Sequence, residues 1–139
     1  MKKNEPVRKI MTENPVSVQL GAKLSEVRAI LDDNKFHHVP VLDGEKLVGV
    51  ISHQDILRVA VGDPKQMDER ELDAMLDFSL TLDHVMTKEP VTIEPSGTVR
   101  DAAEVFAEGH FHSLPVVEDQ VMVGILTSTD VVRYLLSQY

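Results

Sequence analysis

Apolar residues recur with two different periods along this chain, and those periods predict its elements. Leu24, Val27, Ile30 and Leu31 fall on one helix face, and Val99, Ala102, Ala103 and Phe106 mark a second. The first helix is predicted to end near Asn34 and the second at Gly109, residue types that suit a helix C-terminus. Val16-Ser17-Val18 and Val91-Thr92-Ile93 each follow a proline and read as short β segments. His38–Leu42 and Ser113–Val117 read as strands, with Pro40 and Pro115 near their starts. A proline has no N–H, so these strands are expected at an edge or with an irregular beginning. Asp43-Gly44 and Glu118-Asp119 turn into Lys46–Ile51 and Val121–Leu126. Further helices are predicted from near His53 and near Ser128. Between these halves, Gly62-Asp63-Pro64 breaks the chain. Met67 to Phe78 then reads as an acidic amphipathic helix with Leu72, Met75 and Leu76 on one face. Such a helix is either a solvated linker with one packed side or a surface for a partner.

The same order of strand, helix, strand, strand, helix thus occurs twice. Residues 7–58 and 82–133 align without a gap, with 59–81 as the linker, and twelve of the aligned pairs are identical. About three would match by chance. Met11-Thr12 returns as Met86-Thr87, Phe36-His37 as Phe111-His112, Val48-Gly49 as Val123-Gly124, and Asp55 as Asp130. Each repeat is small for an independent core. The expected architecture is therefore an α+β (α/β) fold of two pseudo-two-fold-related repeats packed into one module, offering any binding site twice.

Composition narrows the function. The chain has 139 residues, no Cys, no Trp and a formal net charge of −9. Lacking Cys, it has no disulfide framework and no thiolate metal site, which fits a reducing cytoplasm. The acidic balance argues against nucleic acid and against an anionic membrane surface. No run approaches a membrane span, and no apolar stretch follows the first residues, so neither a span nor a signal peptide is expected.

The strongest chemical signal is Gly49-Val50-Ile51-Ser52-His53-Gln54-Asp55, echoed by Gly124-Ile125-Leu126-Thr127-Ser128-Thr129-Asp130. A strand ends in a hydroxyl residue and a carboxylate follows three residues later, as a helix begins. This is close to a capping box. It is equally a place where first-turn N–H groups face an anion and a carboxylate accepts hydrogen bonds from vicinal sugar hydroxyls. The two readings are compatible. A second repeated signal is a His at the mouth of a strand, His37 and His112, able to donate to phosphate or to a backbone carbonyl. Arg58 and Arg133 read as helix-face charges near helix C-termini.

Taken together, the pattern h-M-T-x-x-P-V-x-h, then H-x-h-P-V-h-[DE], then h-x-G-h-h-[ST]-x-x-D resembles the CBS domain, and the chain is similar to a tandem CBS pair, or Bateman module. The resemblance implies two clefts that hold an adenosine compound such as AMP, ADP, ATP or S-adenosylmethionine as a regulatory ligand. It implies Asp55 and Asp130 on the ribose, and Ser52 and Thr127 on ribose or phosphate. Thr12, Val16 and Ser17, then Thr87, Val91 and Thr92, would line the adenine pocket. His37 and His112 would meet phosphate, beside Pro40 and Pro115. The family often has Arg at the next position, where this chain has His38 and Ser113. The first site is expected to be the better one, because His37 and His38 supply two donors. The resemblance further implies a homodimer and a protein target in trans.

Two other functions stay open. The pair can serve as a ligand-independent dimerisation or docking module. His37, His38, His110 and His112 suggest a metal site, although no carboxylate stands at ligand spacing beside them. No nucleophile elbow, phosphate-binding loop or dinucleotide-binding glycine run is present, so no catalysis is expected.

Overall fold

A computed structural model describes residues 4–34, 37–59 and 68–139, with only the backbone of Asn34 and Ser79. Phe36, Gly62-Asp63-Pro64 and Met67 lie outside the described residues. In chain order come a 3₁₀ turn (Val7–Lys9), β1 (Thr12–Glu13), β2 (Val18–Gln19), α1 (Leu24–Asn34), β3 (His38–Asp43), β4 (Lys46–Ser52) and α2 (His53–Val59). They are followed by α3 (Glu69–Ser79), α4 (Leu82–Val85), β5 (Thr87–Lys88), α5 (Val99–Ala107), β6 (Ser113–Glu118), β7 (Val121–Thr127) and α6 (Ser128–Ser137). The α+β class and the repeated order of elements are those the hydrophobic pattern predicts. The β segment expected at Val91–Ile93 is reduced to a single bridge, Ile93 to Val116.

Two compact units make up the chain: Val16–Pro90, and the segment through Pro15 together with Val91–Tyr139. Each unit combines the body of one repeat with the leading segment of the other. In the Val16–Pro90 unit, β3 and β4 form an antiparallel hairpin, β2 runs parallel to β3, and β5 lies antiparallel to β4. The core is aliphatic, from Leu24, Val27 and Leu31 of α1 against Val39, Val41 and Ile51 of the sheet. Leu76 of α3 is fully buried, and Leu72 and Met75 pack beside it. The intervening helix is therefore bound to its unit along one face.

Polar contacts fix that helix. Arg28 of α1 bonds Asp32 at 2.7 Å, Asp73 at 2.8 Å and Glu69 at 3.1 Å, while Ser25 donates to Asp77 at 2.6 Å. The Asp73 hydrogen bond, outweighing desolvation and supported by Glu69, raises the affinity of the Arg28 guanidinium for its proton. Ala103 stands at the matching position of the other repeat, so this clamp occurs once.

In the other unit, β1 and β6 flank β7, both antiparallel to it. The 3₁₀ turn is tied down by bonds from Val7 N to the Gly97 carbonyl and from Arg8 N to the Pro95 carbonyl. Val7, Ala102, Leu114, Val116 and Leu126 form the buried core. Thr98 caps α5 in a reciprocal box with Asp101, and the Thr98 backbone bond is the main cause holding the Asp101 carboxyl below its ordinary range. Pro115 accepts from Ile93 N on the outer side of β6, so its missing N–H falls on an edge.

Two glycines set how closely the short strands approach. A Cβ on Gly49 would lie 2.5 Å from Met86 Sδ and 2.9 Å from the Thr87 carbonyl oxygen. A Cβ on Gly124 would lie 2.8 Å from both Met11 Sδ and the Thr12 carbonyl oxygen. Backbone cannot yield as a flexible side chain can. Gly49→Ala and Gly124→Ala are each expected to cost about 1–3 kcal/mol by denaturant unfolding; unchanged midpoints would remove this constraint. The β6–β7 turn carries strain of a different kind. Asp119 and Gln120 both have positive φ, 51° and 71°, the backbone of a type I′ turn, in which the second position favours glycine. Gln120→Gly is expected to stabilise by about 1 kcal/mol and raise Tm by about 2–4 °C.

Candidate functional site

Each unit carries one version of the repeated strand-to-helix junction. At the first, Ser52 ends β4 and α2 begins. Ser52 N donates to Asp55 Oδ2 at 2.9 Å, Ser52 Oγ donates to the same oxygen at 3.0 Å, and Asp55 N donates to Ser52 Oγ at 3.3 Å. At the second, Thr127 caps α6: Thr127 N donates to Asp130 Oδ2 at 2.9 Å, and Asp130 N donates to Thr127 Oγ1 at 3.1 Å. Both motifs are thus capping boxes, and the structural reading of the sequence holds at each.

The remaining carboxylate oxygens differ. Arg58 Nη2 donates to Asp55 Oδ1 at 2.7 Å and to the Val85 carbonyl at 3.5 Å. Asp55 is only 5% exposed, whereas the Arg58 side chain is 63% exposed. Arg58 does not merely decorate the helix surface; it returns three residues to the buried acid. Asp130 is half-buried, and its Oδ1 has no partner among the described residues. Arg133, expected near a helix end, lies in mid-helix because α6 continues to Ser137 through Leu135 and Leu136.

Strand pairing and the division into units distribute the other candidate residues in a way the linear repeat does not give. Thr87 pairs with Val50, two residues before Ser52, so it shares a unit with Asp55, Val16 and Ser17. Thr12 pairs with Ile125, two residues before Thr127, and shares a unit with Asp130, Val91 and Thr92. The two threonines are exchanged relative to their places in sequence. Residues two apart on a strand share a face, so Thr12 and Thr127 project to the side of β7 opposite the buried Leu126. Val16 and Val91 are both 45% exposed, an apolar surface repeated to the same degree. Ser17 is half-buried and Thr92 exposed.

His37 and His112 are exposed where their strands begin. The His112 carbonyl accepts from Ser128 N at 2.9 Å, which fixes His112 at the start of α6. His38 pairs across the hairpin with Ser52, and Ser113 with Thr127. Pro40 and Pro115 are buried. Among the described residues, no three His, Asp or Glu side chains converge in a metal-binding arrangement, and no helix is long and apolar enough to cross a membrane.

This geometry suits a polyol with an attached anion. A carboxylate at a helix start accepts from hydroxyls, and first-turn N–H groups lie beside it. Comparison with known proteins agrees on the class. The family model of the CBS domain matches residues 7–62 and 82–137, and the chain belongs to that family. It is 30% identical to the uncharacterized protein MJ1225 of Methanocaldococcus jannaschii over 98% of this chain and 45% of that protein. The structure of the CBS-pair protein CBSX2 from Arabidopsis thaliana superposes with a TM-score of 0.80 at 28% identity, covering 98% of this chain and 97% of that one. CBSX2 has also been crystallised in complex with AMP, with a TM-score of 0.78 to this chain. The CBS pair of protein MJ0100, crystallised with 5-methylthioadenosine and S-adenosylmethionine, superposes with a TM-score of 0.69 at 25% identity, over 94% of this chain and 98% of that one. The chain spans only 22–45% of the length of the first curated relatives it matches.

Proposed function

We propose that this chain is a regulatory module that binds an adenosine compound (AMP, ADP, ATP or S-adenosylmethionine) and catalyses nothing itself. The observation that carries this reading is the junction built twice. In each unit a hydroxyl residue and an Asp box the start of a helix, with an exposed Thr on a paired strand, a His at the start of the neighbouring strand, and an exposed Val in the same unit. Ribose hydroxyls would donate to Asp55 or Asp130. Phosphate would meet the first-turn N–H groups with His37 or His112, and adenine would lie against Val16 or Val91. The complexes of CBSX2 with AMP and of the MJ0100 pair with adenosine derivatives support an adenosine ligand. Binding acts only through a difference in affinity between two shapes of the module, which a protein target in trans would read.

A homodimer is part of the proposal. Helix α6 has no fully buried residue, and Val132, Leu135 and Leu136 form an exposed apolar face at helical spacing. Leu57, the counterpart of Val132 on α2, is exposed to the same extent. A second copy of the chain would cover these residues. The setting would be the cytoplasm, where adenosine nucleotides are abundant.

Calorimetric titration with AMP is expected to give heat with the wild-type chain. The double variant Asp55→Asn/Asp130→Asn is expected to bind at least about tenfold more weakly, because charge-accepting bonds from ribose are lost. Equal affinities would remove the ribose role of both acids. For the dimer, Leu136→Asp is expected to shift the sedimentation-equilibrium mass from twice the chain mass to the chain mass. A wild-type monomer would sink that part of the reading.

A further inference from the structure

We propose that Arg58 is a gate over Asp55, so that the two repeated sites fill in a fixed order with the Asp130 site first. This rests on the adenosine-binding reading of the two junctions. Both oxygens of Asp55 are engaged within the chain: Oδ2 by the Ser52 cap, and Oδ1 by the guanidinium at 2.7 Å. At Asp130 only Oδ2 is engaged. Its counterpart cation, Arg133, makes no ion pair with it among the described residues.

The difference has a local cause. Arg58 lies three residues after Asp55 on α2, where the Val85 carbonyl gives the guanidinium a second acceptor. Among the described residues, no bond runs from Arg133 to Ile10, the residue matching Val85 in the repeat. One copy of the motif is therefore closed by its own arginine, and the other stands ready.

Ribose hydroxyls reaching Asp55 must replace a bond charged on both sides with bonds charged only on the acceptor. The Arg58 arm is largely solvated, so it can swing away, but the exchange lowers affinity by about tenfold. The better-equipped pair, His37 and His38, thus stands in the unit whose acid is obstructed.

The test uses the full chain and AMP calorimetry. Asp130→Asn isolates the Asp55 site, and Arg58→Gln is added to it. Arg58→Met, which keeps the apolar stem, serves as a second variant, and thermal melts check folding. Removal of Arg58 is expected to tighten AMP binding about tenfold in the Asp130→Asn background, and Asp55→Asn is expected to abolish that gain. Alone, Asp130→Asn should remove the tighter wild-type binding event, while Asp55→Asn should leave it in place. Unchanged or weaker binding on removing Arg58 would overturn the gate, the weaker case making Arg58 a ligand contact. So would equal losses from Asp55→Asn and Asp130→Asn. Absence of AMP heat from the wild type and every variant would instead defeat the adenosine reading itself, and the gate with it.

Discussion

The tight crossing of each short leading strand over a glycine governs this structure. Met86-Thr87 crosses Gly49, and Met11-Thr12 crosses Gly124, with room for no side-chain carbon at either glycine. At that spacing the short strands β5 and β1 form their ladders with β4 and β7, while Met86 and Met11 pack onto the two cores. The threonine that follows each methionine is then placed in register two residues ahead of the helix cap. The seating of each methionine and the composition of each junction hang on these two contacts. Widening either one would move a methionine out of the core and a threonine away from the cap together.

That contact explains what could and could not be read along the chain. The helices α1 and α5 were legible because their apolar spacing is what the cores use: Leu24, Val27 and Leu31 are buried, as are Val99 and Ala102. The hairpins were legible because alternation and turn residues are local signals. The exchange of leading segments was not. A strand of two residues has no periodicity, and a tandem repeat invites the assumption that each copy closes on itself. Thr12 and Thr87 therefore group with the wrong acid when the sequence is read linearly. Arg28 was invisible for a related reason. Its partners Asp73 and Glu69 lie more than forty residues away, on a helix whose acidic side reads as merely solvated.

Clamp and caps also show how an acidic chain keeps its charges useful. With a net charge of −9, the carboxylates repel one another unless each is given a donor. Arg28 gathers three of them at one place, holding α3 to its unit through exposed acids and one nearly buried cation. Asp101, Asp55 and Asp130 each bond the backbone N–H of the residue three positions earlier. A carboxylate bonded to a helix start is favoured by the helix dipole and oriented by it. Orientation of this kind is what a binding site needs, so the capping role prepares the functional one.

Duplication nonetheless does not make two equal sites. The two junctions share their capping bonds and their acid, but the arginines three residues further on meet different partners. On α2 the arginine finds both a carbonyl and the buried carboxylate within reach. On α6 the matching arginine is exposed and bonds no acid among the described residues. The identical residue thus becomes an internal partner in one repeat and a surface charge in the other. The difference lies in what the arginine after the motif can reach, here the distant Val85 carbonyl, so motif matching alone predicts symmetry where the packing builds a difference.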